Sequence, residues 1–166
     1  MRPLTWDDWE EDQRGFFQAL RSPAGEAMVL EQNLFGVDQL LPSLVLRELG
    51  EEEMAAYRRP FLRPGEDRRP ILTFVRQLPV DGAPADVTAI VSSYSDWLRQ
   101  SRVPKLFING EPGAILIESR RDFCRTWPNQ TEVTVPGLHF LQEDAPDEIG
   151  RAIADWLPAI REAHAA

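Results

Sequence analysis

The residue best placed for chemistry is His139, which lies in the sequence GLHFLQED (137–144). It follows a β-rich run, TEVTV (131–135), and precedes a stretch of helical periodicity that starts at Asp147. If the run forms a parallel strand, His139 lies in a loop at its carboxyl end, where open α/β sheets place their active sites. A histidine there can act as a general base. A single loop histidine is more often a surface or hydrogen-bonding residue, so its position alone leaves both interpretations open.

The other reactive side chains give weaker signals. Glu143 and Asp144 could be catalytic partners of the histidine, but adjacent acids at a helix start are more ordinarily surface carboxylates, and we favour that interpretation. The single cysteine, Cys124, is better explained as a small residue on a half-buried helix face than as a nucleophilic thiol. One cysteine with two histidines offers no metal-ligand spacing, so we expect neither a metal nor a cofactor.

Composition and charge exclude several classes of protein. The 166 residues are 43% hydrophobic, enough to build a core, and carry a net charge of −9 with no run of lysine or arginine. The chain therefore lacks the basic surface with which proteins bind nucleic acids or anionic membranes. No apolar run is long enough to span a bilayer, and the first residues show no apolar signal core. These features predict a soluble cytoplasmic protein.

The second half of the chain has the pattern of an α/β protein. Helical spacing from Ala85 to Gln100 predicts a helix that buries one apolar stripe, made of Val87, Ile90, Val91, Tyr94, Trp97 and Leu98. The expected elements after it are a strand at VPKLFING (103–110), a helix at 118–127, a strand at TEVTV and a helix at 147–160. Strand, helix and strand in this order predict a right-handed parallel crossover. Two parallel strands leave open edges, so we expect association through an exposed strand edge.

The first half has the pattern of short helices broken by proline and glycine. Helices are predicted from about Asp7 to Arg21, from Pro23 through Leu30, over GEEEMAAYRRPF (50–61) and over PILTFVRQL (70–78). The stretch NLFGVDQLLPSL (33–44) looks irregular, and no pair of strands is evident before residue 100. Aromatic residues are frequent in this half, which is usual for a core but also suits the lining of an apolar cavity.

Six segments carry a resemblance to a known family. They are WDDWEEDQRGFFQALRSPAGE (6–26), EMAAYRRPFL (53–62), RQLPVDGAPADV (76–87), VPKLFINGEPGAIL (103–116), RDFCRTWPNQTEVTV (121–135) and GLHFLQEDAPDEIGRAIADWL (137–157). They resemble haloalkane dehalogenases, members of the α/β-hydrolase superfamily. The resemblance implies a partial α/β-hydrolase fold of class α/β: a helical cap at residues 1–82, then the carboxyl-terminal part of the core domain at residues 83–166. That part holds the last two parallel strands and their helices, and the amino-terminal half of the sheet is expected to be absent.

The resemblance also implies a chemistry. In such enzymes an aspartate displaces halide from an sp3 carbon to form an alkyl ester, and a histidine then activates the water that hydrolyses the ester. His139 matches this histidine. The implied function is hydrolytic cleavage of carbon–halogen bonds in small haloalkanes, with halide as a product and without a cofactor.

The nucleophile of the family has no counterpart among these residues. It belongs to an Asp-Trp-Gly elbow, and this chain has no such tripeptide. The closest match by letters, Asp7 to Glu10, lacks the glycine and follows no strand. A triad acid after Asn109 and Gly110 is also missing, since Gly113 holds that position, and the alternative acid of relatives would fall just before Met1. The resemblance therefore implies that the chain is inactive alone.

Nine positions match residues that line the substrate cavity and tunnel in relatives. Val75 stands where relatives usually have a proline that packs beside the halide. The nine are Phe17, Leu20, Phe35, Leu44, Phe74, Val75, Ile115, Leu116 and Phe140.

Two alternatives remain beside a dehalogenase. A non-catalytic truncated remnant or interaction module would explain why no nucleophile is found. A related α/β hydrolase, such as an esterase or a dehalogenase-like luciferase, would share most of the matching segments. The residue on the nucleophile elbow separates these chemistries.

Overall fold

The chain forms helices over its first hundred residues and then a pair of parallel strands connected by a helix, in a computed structural model that describes residues 4–116 and 118–165. At position 159 and positions 161–165 the description is limited to the backbone. The helices are α1 (Glu11–Arg21), α2 (Val37–Ser43), α3 (Glu51–Arg58), α4 (Arg69–Gln77), α5 (Ala85–Gln100), α6 (Glu118–Arg125), α7 (Leu141–Asp144) and α8 (Pro146–Ala165), and the strands are β1 (Lys105–Pro112) and β2 (Gln130–Gly137). A π-helix covers Glu26–Glu31, and 3-10 turns cover Trp6–Asp8, Arg59–Phe61 and Glu66–Arg68.

These elements fold into two compact units. The helical unit comprises residues 4–42 and 49–94, and the sheet unit comprises residues 43–48 and 95–165. The segment 43–48 thus belongs with residues that are about a hundred positions away in the chain.

The core of the helical unit forms where α1, α4 and the π-helix pack together. α4 begins with Pro70 in its first turn and buries Leu72 and Val75, which lie three residues apart on one face. The buried members of this core are Leu20, Val29, Leu30, Phe35, Leu72 and Val75.

The predicted helices of the first half are present, with three differences. The second one, predicted from Pro23, is a π-helix that begins at Glu26. α1 begins only at Glu11, because residues 6–8 form a 3-10 turn in which the Asp8 carboxylate accepts the Thr5 N–H at 2.8 Å. The stretch expected to be irregular contains α2. Its Pro42 lies in the last turn, where it ends the helix rather than preventing it.

The sheet unit contains the strand–helix–strand arrangement that the sequence predicts. β1 pairs in parallel with β2, in register from Lys105 opposite Gln130 to Pro112 opposite Gly137, and α6 makes the connection. Within the described ranges each of these strands is paired along one edge only. The sheet unit therefore keeps unpaired backbone groups along two strand edges, which is the usual template for association.

The apolar stripe predicted for α5 is not buried as expected. Ile90, Tyr94 and Trp97 are exposed, although their spacing places them on one face of the helix. The prediction was wrong for these three because periodicity identifies an apolar face without showing that anything packs against it. Among the helices of the described residues, none has the length and hydropathy needed to cross a membrane.

Candidate active site around His139

His139 lies in the connection between β2 and α7, here called the histidine loop (residues 138–140). β2 ends at Gly137 and β1 ends at Pro112, and the Gly113 N–H donates to the Gly137 carbonyl at 2.9 Å. The loop therefore starts at the carboxyl ends of both parallel strands. This is the position that the sequence predicts and the usual place for functional loops in α/β proteins.

Hydrogen bonds hold the backbone of the histidine loop at each of its three N–H groups. The Leu138 N–H donates to Oδ2 of Asp144 at 3.0 Å. The N–H groups of His139 and Phe140 both donate to the Leu44 carbonyl, at 3.0 and 3.2 Å. Because all three successive amides are engaged, the direction in which His139 leaves the backbone is well defined.

The partners of the loop come from the segment 43–48 and from the two acids that end α7. Oδ1 of Asp144 accepts the N–H groups of Leu46 and Arg47 at 2.7 and 3.2 Å. The Arg47 guanidinium donates to the carbonyl and the carboxylate of Glu143, at 2.6 and 2.7 Å. Glu143 and Asp144 lie in the first turn of a helix, as the sequence predicts, but both are half-buried and bind this segment instead of only facing solvent.

The imidazole of His139 is in a state that suits a base. Its ring packs edge-on against the Phe140 ring, with centroids 5.0 Å apart. Partial burial lowers the pKa of His139 below its ordinary value, which favours the neutral ring. No side chain of the described residues donates to or accepts from its ring nitrogens, which leaves a lone pair for a proton from water.

Two glycines allow α7 to pack against the strand ends. A Cβ on Gly110 would lie 2.6 Å from Cδ2 of Leu141, and a Cβ on Gly137 would lie 2.5 Å from the same atom. The Cβ on Gly137 would also lie 3.3 Å from Oδ2 of Asp144. Glycine at these positions therefore lets Leu141 and Asp144 approach the base of the histidine loop.

We expect Gly137→Ala to destabilise the chain by about 1 kcal/mol, because Leu141 must move to admit the methyl group. Gly150→Ala is the matched control: a Cβ there meets nothing within 4 Å, and alanine should stabilise α8 by up to about 1 kcal/mol. Urea denaturation followed by circular dichroism measures both. Changes of the same sign in the two variants would contradict the steric role of Gly137.

Five of the predicted cavity residues belong to the helical unit, and four of them come together there. Phe17 and Phe35 pack edge to face with centroids 5.4 Å apart, next to Leu20 and Val75 in the core. Leu20 and Val75 are entirely buried, whereas Phe74 on α4 points outward and is 60% exposed.

The other four cavity residues, like His139, belong to the sheet unit. Leu44 contacts the histidine loop through its backbone carbonyl. Phe140 is the ring neighbour of His139. Ile115 is exposed and Leu116 is half-buried, both in the turn between β1 and α6. The Ile115 carbonyl accepts Nη1 of Arg120 at 3.0 Å.

Other groups that could do chemistry are engaged or inert. Glu111, close to the missing position of the triad acid, forms an ion pair with Arg121 at 3.0 Å. Burial raises the pKa of the Cys124 thiol, which disfavours the reactive thiolate. Over residues 4–116 and 118–165, no three His, Cys, Asp or Glu side chains cluster closely enough to hold a metal ion.

Comparison with curated proteins finds close relatives over nearly all of the chain. A haloalkane dehalogenase from Sphingobium indicum is 59% identical over 161 residues, which make up 97% of this chain and 54% of the relative. A haloalkane dehalogenase from Mycolicibacterium smegmatis is 53% identical over 160 residues, 96% of this chain and 51% of the relative. The chain thus spans about half the length of these proteins. No protein-family model matches it.

Solved structures show the same similarity in three dimensions. An ancestral haloalkane dehalogenase superimposes with a TM-score of 0.87 and 43% identity, over 98% of this chain and 58% of that one. The haloalkane dehalogenase DbeA from Bradyrhizobium elkani gives a TM-score of 0.88 and 41% identity, over 98% and 57%. The two strands, their connecting helix and the helical unit therefore match part of an α/β-hydrolase fold.

Proposed function

Since the chain belongs to the haloalkane dehalogenase family and matches its carboxyl-terminal portion, we propose that it supplies the cap and the last two strands of a hydrolase that cleaves carbon–halogen bonds of small haloalkanes. The reaction passes through an alkyl-enzyme ester, and His139 is the base that hydrolyses it. One observation carries this assignment: His139 follows the carboxyl end of β2, where two parallel strands end side by side.

The chemistry assigned to His139 follows from its ring. A neutral imidazole takes a proton from water as the water attacks the ester carbonyl, and it returns the proton when the ester breaks down. The ester itself forms on an aspartate of an Asp-Trp-Gly elbow, and the 166 residues contain no such sequence. The nucleophile, the triad acid and the halide ligands are therefore assigned to the part of the complete enzyme that these residues do not include.

The role of the cap is assigned to residues 1–82, most of which lie in the helical unit. Phe17, half-buried, and Phe74, largely exposed, have surface to offer an apolar substrate. Leu20 and Val75 are fully buried in the core against which Phe17 packs, so they support that ring instead of touching a substrate. A cytoplasmic location is part of the same proposal.

The proposal predicts that activity requires a complementing polypeptide. The chain should release no bromide from 1-bromobutane or 1,2-dibromoethane alone, and an amino-terminal fragment of the Sphingobium indicum relative should release none either. Mixed, the two should release bromide, because the fragment supplies an elbow and strands that pair with the free strand edges. Halide release and size-exclusion chromatography measure the outcome.

Each half serves as the control for the other. Turnover by the chain alone, abolished by His139→Ala, would show that it carries its own nucleophile. A stable one-to-one complex without halide release would contradict the dehalogenase assignment, and ester hydrolysis by that complex would favour the related hydrolases instead.

A further inference from the structure

The two carboxylate oxygens of Asp144 serve different parts of the backbone. Oδ2 accepts the N–H of Leu138, next to His139, whereas Oδ1 accepts the N–H groups of Leu46 and Arg47. The segment and the loop are separated by about ninety residues of chain. A single side chain therefore joins them, with charge-assisted bonds that are stronger than those between neutral groups.

The Leu44 carbonyl makes a second connection between the segment 43–48 and the histidine loop. It accepts the N–H groups of His139 and Phe140 at 3.0 and 3.2 Å. The segment 43–48 is thus bound to the histidine loop directly through Leu44 and to the end of α7 through Asp144. Removing the Asp144 carboxylate would break the bonds at Leu46, Arg47 and Leu138. The segment would then be held by the Leu44 carbonyl and by the bonds between Arg47 and Glu143.

Asp144 and its neighbour Glu143 bind different groups of the segment and the loop. Glu143 binds the Arg47 guanidinium at 2.7 Å, whereas the Asp144 carboxylate accepts hydrogen bonds from backbone N–H groups. The segment 43–48 and α7 carry four charged residues: Arg47, Glu48, Glu143 and Asp144. Burial, rather than any of these charges, is what lowers the pKa of His139.

We propose that Asp144 is a positioning residue for His139: its carboxylate ties the segment 43–48 to the histidine loop and so holds the imidazole in its partly desolvated place. The proposal rests on the proposed function only for the role of His139 as base. Its test measures the pKa of the imidazole, so a chain that never releases halide can still confirm or overturn the proposal.

The test compares Asp144→Asn with Glu143→Gln in the full chain, because each removes one negative charge from the same two-residue stretch. Asparagine has an NH2 group in place of one carboxylate oxygen, so it loses an acceptor either for Leu138 or for Leu46 and Arg47. Hydrogen exchange of these amides should therefore accelerate about tenfold. With the loop loosened, the ring should become more solvated, and its pKa should rise toward about 6.5. Loss of a nearby negative charge alone would lower that pKa, so the two explanations differ in sign.

Imidazole titration and amide exchange by NMR provide both readouts. Glu143→Gln should leave exchange at Leu138 unchanged and should not raise the pKa of His139. An Asp144→Asn chain whose ring titrates as in the parent, or whose shift matches that of Glu143→Gln, overturns the proposal even if its stability falls.

If Asp144→Asn does not fold, Asp144→Glu keeps the charge but displaces the carboxylate by one methylene group. Faster exchange at Leu138, Leu46 and Arg47 together with a raised ring pKa supports the positioning role. Faster exchange with an unchanged ring pKa overturns it.

Discussion

Alanine in place of His139 is expected to stop the reaction after one halide ion per active site. In the complemented enzyme, displacement of halide by the aspartate needs no base, whereas hydrolysis of the alkyl ester needs the imidazole to take a proton from water. Steady-state turnover should therefore fall by at least about a thousandfold while the ester accumulates. Rapid-quench halide release measures the single turnover, and intact-mass spectrometry detects the alkylated polypeptide.

Gln142→Ala is the matched control, since Gln142 is exposed on α7 close to the loop and should change turnover by no more than about twofold. In the chain alone the imidazole of His139 should titrate below about pH 6.5, because burial lowers its pKa, and titration followed by NMR measures this. If His139→Ala released no halide at all, the residue would be assigned to cleavage of the carbon–halogen bond instead. Full turnover by this variant would exclude His139 as the base.

The sequence predicts the sheet unit well because its signals are local. Short apolar runs ending in turn residues identify β1 and β2, and the helix between them fits a parallel crossover. The same local order puts His139 just after β2. Periodicity also locates α5 and α8, although it does not reveal that Ile90, Tyr94 and Trp97 stay exposed.

The contacts that hold the histidine loop cannot be predicted from local sequence signals. Leu46 and Arg47 lie 98 and 97 positions from the acid that binds them, and backbone donors leave no signature of residue type. Asp144 therefore looks like any acid beside a helix start. The glycines at 110 and 137 are a weak signal of close packing that sequence reasoning could have used, because glycine inside a strand often marks a close approach.

Arg68 is a buried cation that sequence reasoning did not single out, and its replacement should have a large effect on stability. It is only 8% exposed, yet it lies in a run of charged residues that suggests a solvated turn. Its guanidinium donates to four backbone carbonyls of the helical unit: Leu30 at 3.1 Å, Glu31 at 3.0 Å, Phe61 at 3.0 Å and Leu62 at 3.5 Å. The side chain thus joins the end of the π-helix to the turn after α3.

We expect Arg68→Ala to lower the free energy of unfolding by about 3 kcal/mol, because one buried and three partly buried hydrogen bonds of the guanidinium are lost at once. Arg68→Lys should recover only part of this, since one ammonium cannot match the planar fork of a guanidinium. Arg63→Ala is the control: Arg63 is 84% exposed, its ion pair with Asp67 lies at the surface, and its loss should cost no more than about 0.5 kcal/mol. Urea denaturation followed by far-ultraviolet circular dichroism measures all three. An Arg68→Ala chain as stable as Arg63→Ala would mean that water replaces the guanidinium at these carbonyls, and that the helical unit does not depend on a buried charge.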